Sequence, residues 1–369
     1  MKKAAQLAAV SLILAGCGST AGGPDLVLGS PRATAAGSPT PPAARLVIVV
    51  ADPYRSAATG KQVTLRLVRP DGSEADNFTL KPGVEVLAAA GERVFVRSGS
   101  HLKAIKRDGR VEDLADIGSE STGRVVASPD GRRWLWSTYL VNGDTVHSQV
   151  HLGGVGIESR VVEDSTEEQT VLEPFSWTAS GAFVVHAGMG IGGYILFSSA
   201  AGPVDRLDPV TWTATSLQMT AGCSFSDQAR DGTLACTGLD GGSPVLKLIG
   251  SGGSVQTIRL SQPAFNQNGD AFFDATGRRL ALGGAVGEDA GAERFSTALV
   301  RPADASMASF GPAGVRPAMG PASWLPDGRL VVWRPQNAVG GPAGIYLLGP
   351  DGAGPEIPLT GTPIGYLAG

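Results

Sequence analysis

A short phrase that recurs at a nearly constant interval constrains the fold of this chain more than any other feature. Its best copy runs from Ser128 to Trp136 with the letters SPDGRRWLW, and weaker copies surround Gly181, Gly232, Gly277 and Gly328. The intervals between the central glycines are 50, 51, 45 and 51 residues. This period is the length of one four-stranded propeller blade rather than of a helical repeat. The spacing therefore predicts an all-β repeat fold.

Within each interval, runs of apolar or alternating residues predict four strands separated by turns. The clearest interval predicts strands at Val84–Ala90, Arg93–Arg97, His101–Lys106 and Val111–Ile117. Other intervals are less regular, and we expect a fourth strand at 160–163, a third strand at 194–198 followed by a fourth within 205–217, and a first strand at 322–325.

The two ends of the repeat region complete one another. Leu46–Val50, Val63–Val68 and Phe78–Leu80 predict a first blade that lacks its inner strand, and Ile364–Leu367 predicts a lone strand after the last interval. Joining them would close the ring and remove its exposed sheet edges. The prediction for residues 45–369 is a seven-bladed β-propeller of four-stranded antiparallel blades, in which the C-terminal strand closes the first blade.

The phrase itself resembles the repeat of a known family. Ser128 to Trp136 and Leu325 to Leu330 (LPDGRL) are similar to the repeat of TolB-type propellers, which are related to WD-repeat propellers. Thr276 to Leu280 and Ser180 to Phe183 match more loosely. The resemblance covers nearly all of 45–369 and implies a propeller fold. It implies little about activity, because the shared residues build turns.

The N-terminus predicts export and a lipid anchor. Lys2 and Lys3 precede an apolar run from Ala4 to Ala15, which is shorter than the roughly 20 residues that span a bilayer. The ending LAGC at 14–17 resembles the bacterial lipobox, which implies a signal peptide at 1–16 and a lipid on Cys17; an ordinary signal peptide with a chance cysteine is the alternative. Residues 17–44 predict a disordered tether. We therefore expect an extracytoplasmic protein, lipid-anchored to a bacterial membrane in the cell envelope.

The charge balance argues against nucleic acid as a partner. The formal net charge is −4, and it becomes about −6 without Lys2 and Lys3. Basic clusters are missing as well, so the lipid has to provide the membrane anchoring. We expect a monomer without cofactor.

Two further cysteines flank the turn at Arg230 to Gly232. Strands leaving this turn would bring Cys223 and Cys236 nearly opposite one another, within reach of a disulfide, and an oxidising exterior favours the bond. Two free buried thiols are the alternative. A metal site is not expected there, because histidine or carboxylate partners are missing from the neighbourhood.

Candidate catalytic residues are sparse, and we predict no catalytic or metal site. His147 and His151 lie four apart on one strand, about 13 Å from each other, which is too far to share a metal. His186 reads as an interior histidine with satisfied hydrogen bonds, and His101 belongs to a strand. The run Asp164 to Glu168 could supply an acid and a base, but reads as solvated surface. Gly188 to Gly193 has the spacing of dinucleotide sites without the helix that such sites need.

Loop lengths point to a binding face. In a propeller, the loops between second and third strands emerge on one side, and here they are long, acidic and rich in glycine. The candidate residues of this face are Asp52, Tyr54, Asp144, Met189, Asp240, Glu288, Asp289 and Asn337. Simple tolerance of insertions would also explain the long loops.

The function predicted from the sequence is a protein- or ligand-binding and scaffolding module of the bacterial cell envelope, with a protein or glycan partner at the long-loop face. Two alternatives stay open. One is a carbohydrate-active propeller enzyme, a lyase or glycoside hydrolase that uses carboxylates at the channel mouth and would need carboxyl groups about 5 to 9.5 Å apart. The other is an accessory sensory lipoprotein of an envelope signalling system.

Overall fold

A computed structural model describes residues 46–52, 62–118, 121–178, 180–189, 202–220, 222–260, 267–286, 293–336, 339–357 and 359–368. The described chain is all-β, with one short 3-10 turn at Gly320–Ala322. Its strands are β1 (Val47–Asp52), β2 (Val63–Val68), β3 (Glu74–Leu80), β4 (Val84–Ala90), β5 (Arg93–Ser98), β6 (His101–Lys106), β7 (Val111–Asp116), β8 (Ser121–Ala127), β9 (Arg133–Asn142), β10 (Thr145–Gly154), β11 (Ile157–Glu168), β12 (Thr170–Thr178), β13 (Gly181–Gly188), β14 (Val204–Leu207), β15 (Ala214–Ser216), β16 (Cys223–Gln228), β17 (Leu234–Asp240), β18 (Ser243–Ile249), β19 (Val255–Arg259), β20 (Gln267–Phe273), β21 (Leu280–Val286), β22 (Arg294–Arg301), β23 (Ser306–Ser309), β24 (Arg316–Pro317), β25 (Leu330–Arg334), β26 (Gly344–Leu348), β27 (Glu356–Ile357) and β28 (Thr362–Leu367).

The strands form six sheets. Five of them contain four consecutive strands each: β8–β11, β12–β15, β16–β19, β20–β23 and β24–β27. The sixth has eight strands in the order β3-β2-β1-β28-β4-β5-β6-β7. Within it, β28 and β4 touch through a single parallel pair, Gly365 with Ala89. We number the resulting groups of four strands along the chain, so that group 1 is β28 with β1–β3, group 2 is β4–β7, and group 7 is β24–β27.

The one paired position between β28 and β4 requires a glycine. A Cβ added to Gly365 would lie 2.4 Å from the carbonyl oxygen of Ala89, closer than real Cβ contacts allow. The rest of β28 belongs to β1, with which it pairs antiparallel from Val47 opposite Leu367 to Ala51 opposite Thr362. The C-terminal strand therefore completes the sheet that β1 begins, as the sequence predicted.

Buried apolar side chains join the groups face to face. Among the described residues, six clusters each connect two consecutive groups, from the cluster between groups 1 and 2 to the cluster between groups 6 and 7. The seventh cluster packs Ile48 and Val50 of β1 against Val331 of β25 and Leu347 of β26, so that group 7 contacts group 1. Arg329 Nη1 also donates to the carbonyl oxygen of Pro70 at 3.1 Å across this junction.

The recurring phrase forms the predicted turn between first and second strands. In group 3, Gly131 has φ +66°, its N–H donates to the Ser128 carbonyl, and Asp130 Oδ1 accepts from the N–H of Arg132. The Ser128 hydroxyl donates to Asp130 at 2.6 Å. Gly131 also approaches the preceding group closely, since a Cβ there would lie 2.3 Å from the carbonyl oxygen of Ala90. The turn thus fixes both a chain reversal and the contact between neighbouring groups.

Three strand predictions need correction. The fourth strand of group 3 runs over Ile157–Glu168 instead of 160–163, because β10 pairs with it along nearly its whole length. The third strand of group 4 is β14, which pairs with β13 through Val204 and Leu207; the predicted 194–198 lies outside the described residues. The first strand of group 7 is Arg316–Pro317 instead of 322–325, because Gly320–Ala322 form the 3-10 turn.

Candidate functional site

One acidic and histidine-containing cluster lies between groups 3 and 4. Side chains alternate along β11, so Glu163, Ser165 and Glu167 share one side of the strand and Asp164 points to the other. Asp164 pairs with His147 and Gln149 at the surface, at 2.9 and 2.6 Å. The sequence predicted that the charged run Asp164 to Glu168 is solvated surface. Because side chains alternate along β11, only one half of this run is exposed, and the other half faces β13 and β14.

His186 of β13 is at the centre of this cluster. Its Nδ1 lies 2.7 Å from Glu167 Oε1, and its Nε2 lies 2.8 Å from Asp205 Oδ2. The same Nε2 is 3.9 Å from Glu163 Oε1. Both ring nitrogens therefore face carboxylates, and His186 is the interior, hydrogen-bonded histidine that the sequence predicted. Its three acidic partners were not predicted.

Strand pairing explains how these residues meet. Val184 of β13 is directly opposite Asp205 of β14, so Asp205 lies diagonally across from His186, two residues further on. Side chains at such diagonal positions of an antiparallel pair are within reach when they are long. Placing the third strand of group 4 at 194–198 concealed this neighbour, because Asp205 then fell on the following strand.

Glu163 is the least solvated member of the cluster. Its side chain is 10% exposed, and its Oε2 is buried without a hydrogen-bond partner. Burial, followed by the adjacent Asp205 carboxyl group, raises the pKa of Glu163 to about 8. Glu163 therefore holds its proton to a higher pH than an ordinary glutamic acid side chain does.

The same contacts shift the pKa values of His186 and Glu167. Burial alone would lower the pKa of His186, but hydrogen bonds to Asp205 and Glu167 and the charges of both outweigh it and raise the pKa. The Ser165 hydroxyl, followed by His186, holds the pKa of Glu167 below its usual range. The cluster thus places one imidazole among three carboxyl groups, an arrangement that favours a bound proton or another cation.

The donor set suits a cation better than glycoside hydrolysis. Among the described residues, Glu163, His186 and Asp205 can each offer one ligand atom, and these atoms all lie within 4.8 Å of one another. Carboxyl groups that cleave a glycosidic bond stand about 5 to 9.5 Å apart with room for the sugar between them. Here one oxygen of each carboxyl group lies within 4.8 Å of the other and of the same imidazole nitrogen, which is too close for a sugar between them.

The other histidines have structural surroundings. His147 is exposed and bound to Asp164. His151 stacks on Trp136 at 5.1 Å between ring centroids, its Nε2 lies 2.9 Å from the Thr138 hydroxyl, and burial lowers its pKa. His101 Nδ1 lies 3.5 Å from Asp113 Oδ1.

The candidate binding face is only partly described. Backbone hydrogen bonds join Asp144 to Met189 through Gln169, whose N–H donates to the Asp144 carbonyl while its own carbonyl accepts from Met189. Asp52 accepts a hydrogen bond from Thr360, and Asp240 pairs with Arg259. The remaining candidates lie outside the described residues: Tyr54, Glu288, Asp289, Asn337, the lipid-attachment residue Cys17, and most of the glycine-rich stretch after Gly188.

Cys223 and Cys236 form the predicted disulfide. Cys223 pairs with Gly238 and Cys236 pairs with Phe225, so the bond crosses the β16–β17 pair diagonally. The two Cα atoms are 5.6 Å apart, near the most common separation in disulfides. The bond therefore joins the first two strands of group 5 and leaves no thiol on this pair for chemistry.

Comparison with solved structures identifies the kind of fold. The chain is similar to a 6-phosphogluconolactonase candidate from Bacteroides uniformis, with a TM-score of 0.50, 13% sequence identity, and coverage of 87% of this chain and 98% of the other. The fold is that of β-propeller proteins. TolB from Acinetobacter baumannii matches with a TM-score of 0.42 and 15% identity, over 88% of this chain and 66% of TolB. No protein-family model and no curated protein sequence matches the chain.

Proposed function

We propose that this chain is a lipid-anchored, extracytoplasmic seven-bladed β-propeller that acts as a protein-binding and scaffolding module of the bacterial cell envelope. The observation on which this rests is a set of exposed apolar side chains at one end of five consecutive strand groups. They lie at the end of a second strand or in the connection to the third: Leu140, Val141, Met189, Leu239, Val286 and Val339.

The propeller proposal is supported by the order of the packing contacts. Each strand group would be one blade, and the apolar clusters connect every group to the next, including group 7 to group 1. In such a ring, equivalent ends of all blades lie on one side. The exposed apolar residues of groups 3 to 7 would therefore share a single face.

Apolar exposure at these positions favours a protein partner. Leu140 is 58% and Leu239 is 60% exposed, and Asp144 and Asp240 beside them keep acidic groups at the same strand ends. Apolar residues surrounded by charged ones are typical of protein interaction sites. We propose a partner that presents an apolar patch with basic residues around it.

The proposed partner site can be tested with matched variants. The double variant Leu140→Glu and Leu239→Glu should reduce co-purification of cross-linked envelope partners by at least about tenfold, as expected for central interface residues. Val210→Glu is the control, because Val210 is 82% exposed at the opposite end, between β14 and β15. Equal partner yields from both variants would exclude this face as the binding site.

The proposed membrane anchor rests on Cys17 and is tested separately. Cys17→Ala removes the thiol that the lipobox reading requires, so the protein should lose its lipid and move from the membrane fraction to the soluble exported fraction. Fractionation with metabolic fatty-acid labelling measures both effects. Retention of Cys17→Ala in the membrane fraction would show that something other than the lipid holds the protein there. The described residues include no helix with the length and hydropathy that a membrane span requires.

A further inference from the structure

We propose that Glu163, His186 and Asp205 form a binding site for a divalent transition-metal ion of the zinc class, built between strand groups 3 and 4. This inference goes beyond the proposed binding function and does not depend on it. The site would use one imidazole nitrogen and two carboxylates as ligands, a mixture that zinc accepts readily.

Glu163 provides the observation that points to a ligand. Its side chain is nine-tenths buried, and its Oε2 has no hydrogen-bond partner while Oε1 is 3.9 Å from His186 Nε2. A buried carboxylate oxygen without a partner costs free energy. A cation placed among Glu163, His186 and Asp205 would give this buried carboxyl group a partner of opposite charge.

The distances between the candidate ligand atoms fit a metal ion with short bonds. Ligand atoms at 2.0 to 2.2 Å from a tetrahedral zinc ion are about 3.4 Å from one another. The observed separations from His186 Nε2, 2.8 Å to Asp205 and 3.9 Å to Glu163, lie on either side of that value. The third separation, between the Glu163 and Asp205 oxygens, is at most 4.8 Å, so small rotamer adjustments would bring all three atoms to bonding distance.

Glu167 would orient the metal ligand without touching the metal. It lies 2.7 Å from His186 Nδ1 and is itself fixed by the hydroxyl of Ser165 at 2.7 Å. A carboxylate on the second nitrogen of a metal-binding histidine holds the proton there and leaves Nε2 free to bind. Three protein ligands leave a fourth position open, and the 16% exposure of His186 gives water access to it.

The direct test is metal titration of the mature full-length protein after chelator treatment. Zn²⁺ affinity is measured by competition with a chromophoric chelator, and Co²⁺ serves as a spectroscopic substitute whose visible absorption reports nitrogen and oxygen ligands. We expect one tight site per chain. His186→Gln and Glu163→Gln should weaken Zn²⁺ binding by more than about 100-fold, and Glu167→Gln by about 10- to 100-fold.

His147→Gln is the matched control, since His147 is an exposed histidine with a single carboxylate partner on the same hairpin. It should retain wild-type affinity. Glu163→Gln preserves the shape of the side chain, so a loss of binding in this variant does not result from a changed packing volume. Circular dichroism checks that each variant is folded. Three results would overturn the proposal: no stoichiometric binding by the wild type, undiminished binding by folded Glu163→Gln, or equal loss in His147→Gln, which would show surface adsorption. None of them changes the partner experiment at Leu140 and Leu239.

Discussion

At the scale of single residues, the most consequential side chains are buried carboxyl groups at the contacts between strand groups. Asp227 is one of them, 8% exposed at the end of β16. Its oxygens accept hydrogen bonds from the N–H groups of Gln228 and Phe273, and Phe273 belongs to the next group. Burial raises the pKa of Asp227 to about 7, although both backbone hydrogen bonds lower it. Asp227 therefore links two groups at an electrostatic cost that depends on pH.

The pH dependence of unfolding measures that cost. Between about pH 4 and pH 7 the folded protein binds a proton at Asp227 that the unfolded chain has released, so this residue's contribution to stability falls as pH rises through that window. Asp227→Asn should be less stable than the wild type at pH 5, because its amide cannot accept both hydrogen bonds, and the difference should narrow toward pH 8. Urea unfolding at both pH values tests this, and Asp231→Asn, in the exposed turn nearby, controls for the loss of one surface carboxylate. If the difference in unfolding free energy between the wild type and Asp227→Asn is the same at pH 5 and pH 8, the raised pKa of Asp227 is contradicted.

At the scale of elements, the turns were predictable from the sequence because they depend on local chemistry. The pairing partners of the strands were harder to predict because they depend on residues far apart in the chain. The positive φ of Gly131 and the hydrogen bonds of Asp130 involve residues within a few positions of one another, so they can be predicted from the sequence. The His186 cluster depends on which strand follows β13, and an alternative apolar segment at 194–198 obscured that choice. One side of β11 is exposed and the other faces strand group 4. The residue pattern of β11 alone does not reveal which side packs against a neighbouring group.

The contact that Gly131 makes with the preceding group gives a prediction at this scale. Gly131→Ala should destabilise the protein by about 2 kcal/mol or more, because positive φ disfavours alanine and the new Cβ would collide with the Ala90 carbonyl. Gly143→Ala is the control: its φ of +64° is nearly the same, but no atom lies within 4 Å of the added Cβ. Its cost should stay near 1 kcal/mol. Equal unfolding free energies for the two variants would mean that the close approach to Ala90 contributes nothing.

At the scale of the whole molecule, the pairing of β28 with β1 joins segments about 320 residues apart in sequence. Deleting residues 363–369 would expose the edges of β1 and β4 and remove Leu367 from the apolar cluster between groups 1 and 2. We expect a loss of several kcal/mol and concentration-dependent aggregation. Thermal unfolding and light scattering measure the two effects. A deletion variant that melts at the wild-type temperature and stays monomeric would contradict ring closure through β28.

The same pairing determines how the molecule would respond to mechanical load. A pull transmitted through the proposed tether, residues 17–44, would reach the described fold at β1, which is bonded on one side to β2 and on the other to β28. Force along this strand acts on two hydrogen-bonded ladders in shear, so several bonds must break together rather than one after another. If Cys17 is anchored as proposed and a partner binds the protein away from β1, tension between the two would act on β1. The protein would therefore resist extension at this strand.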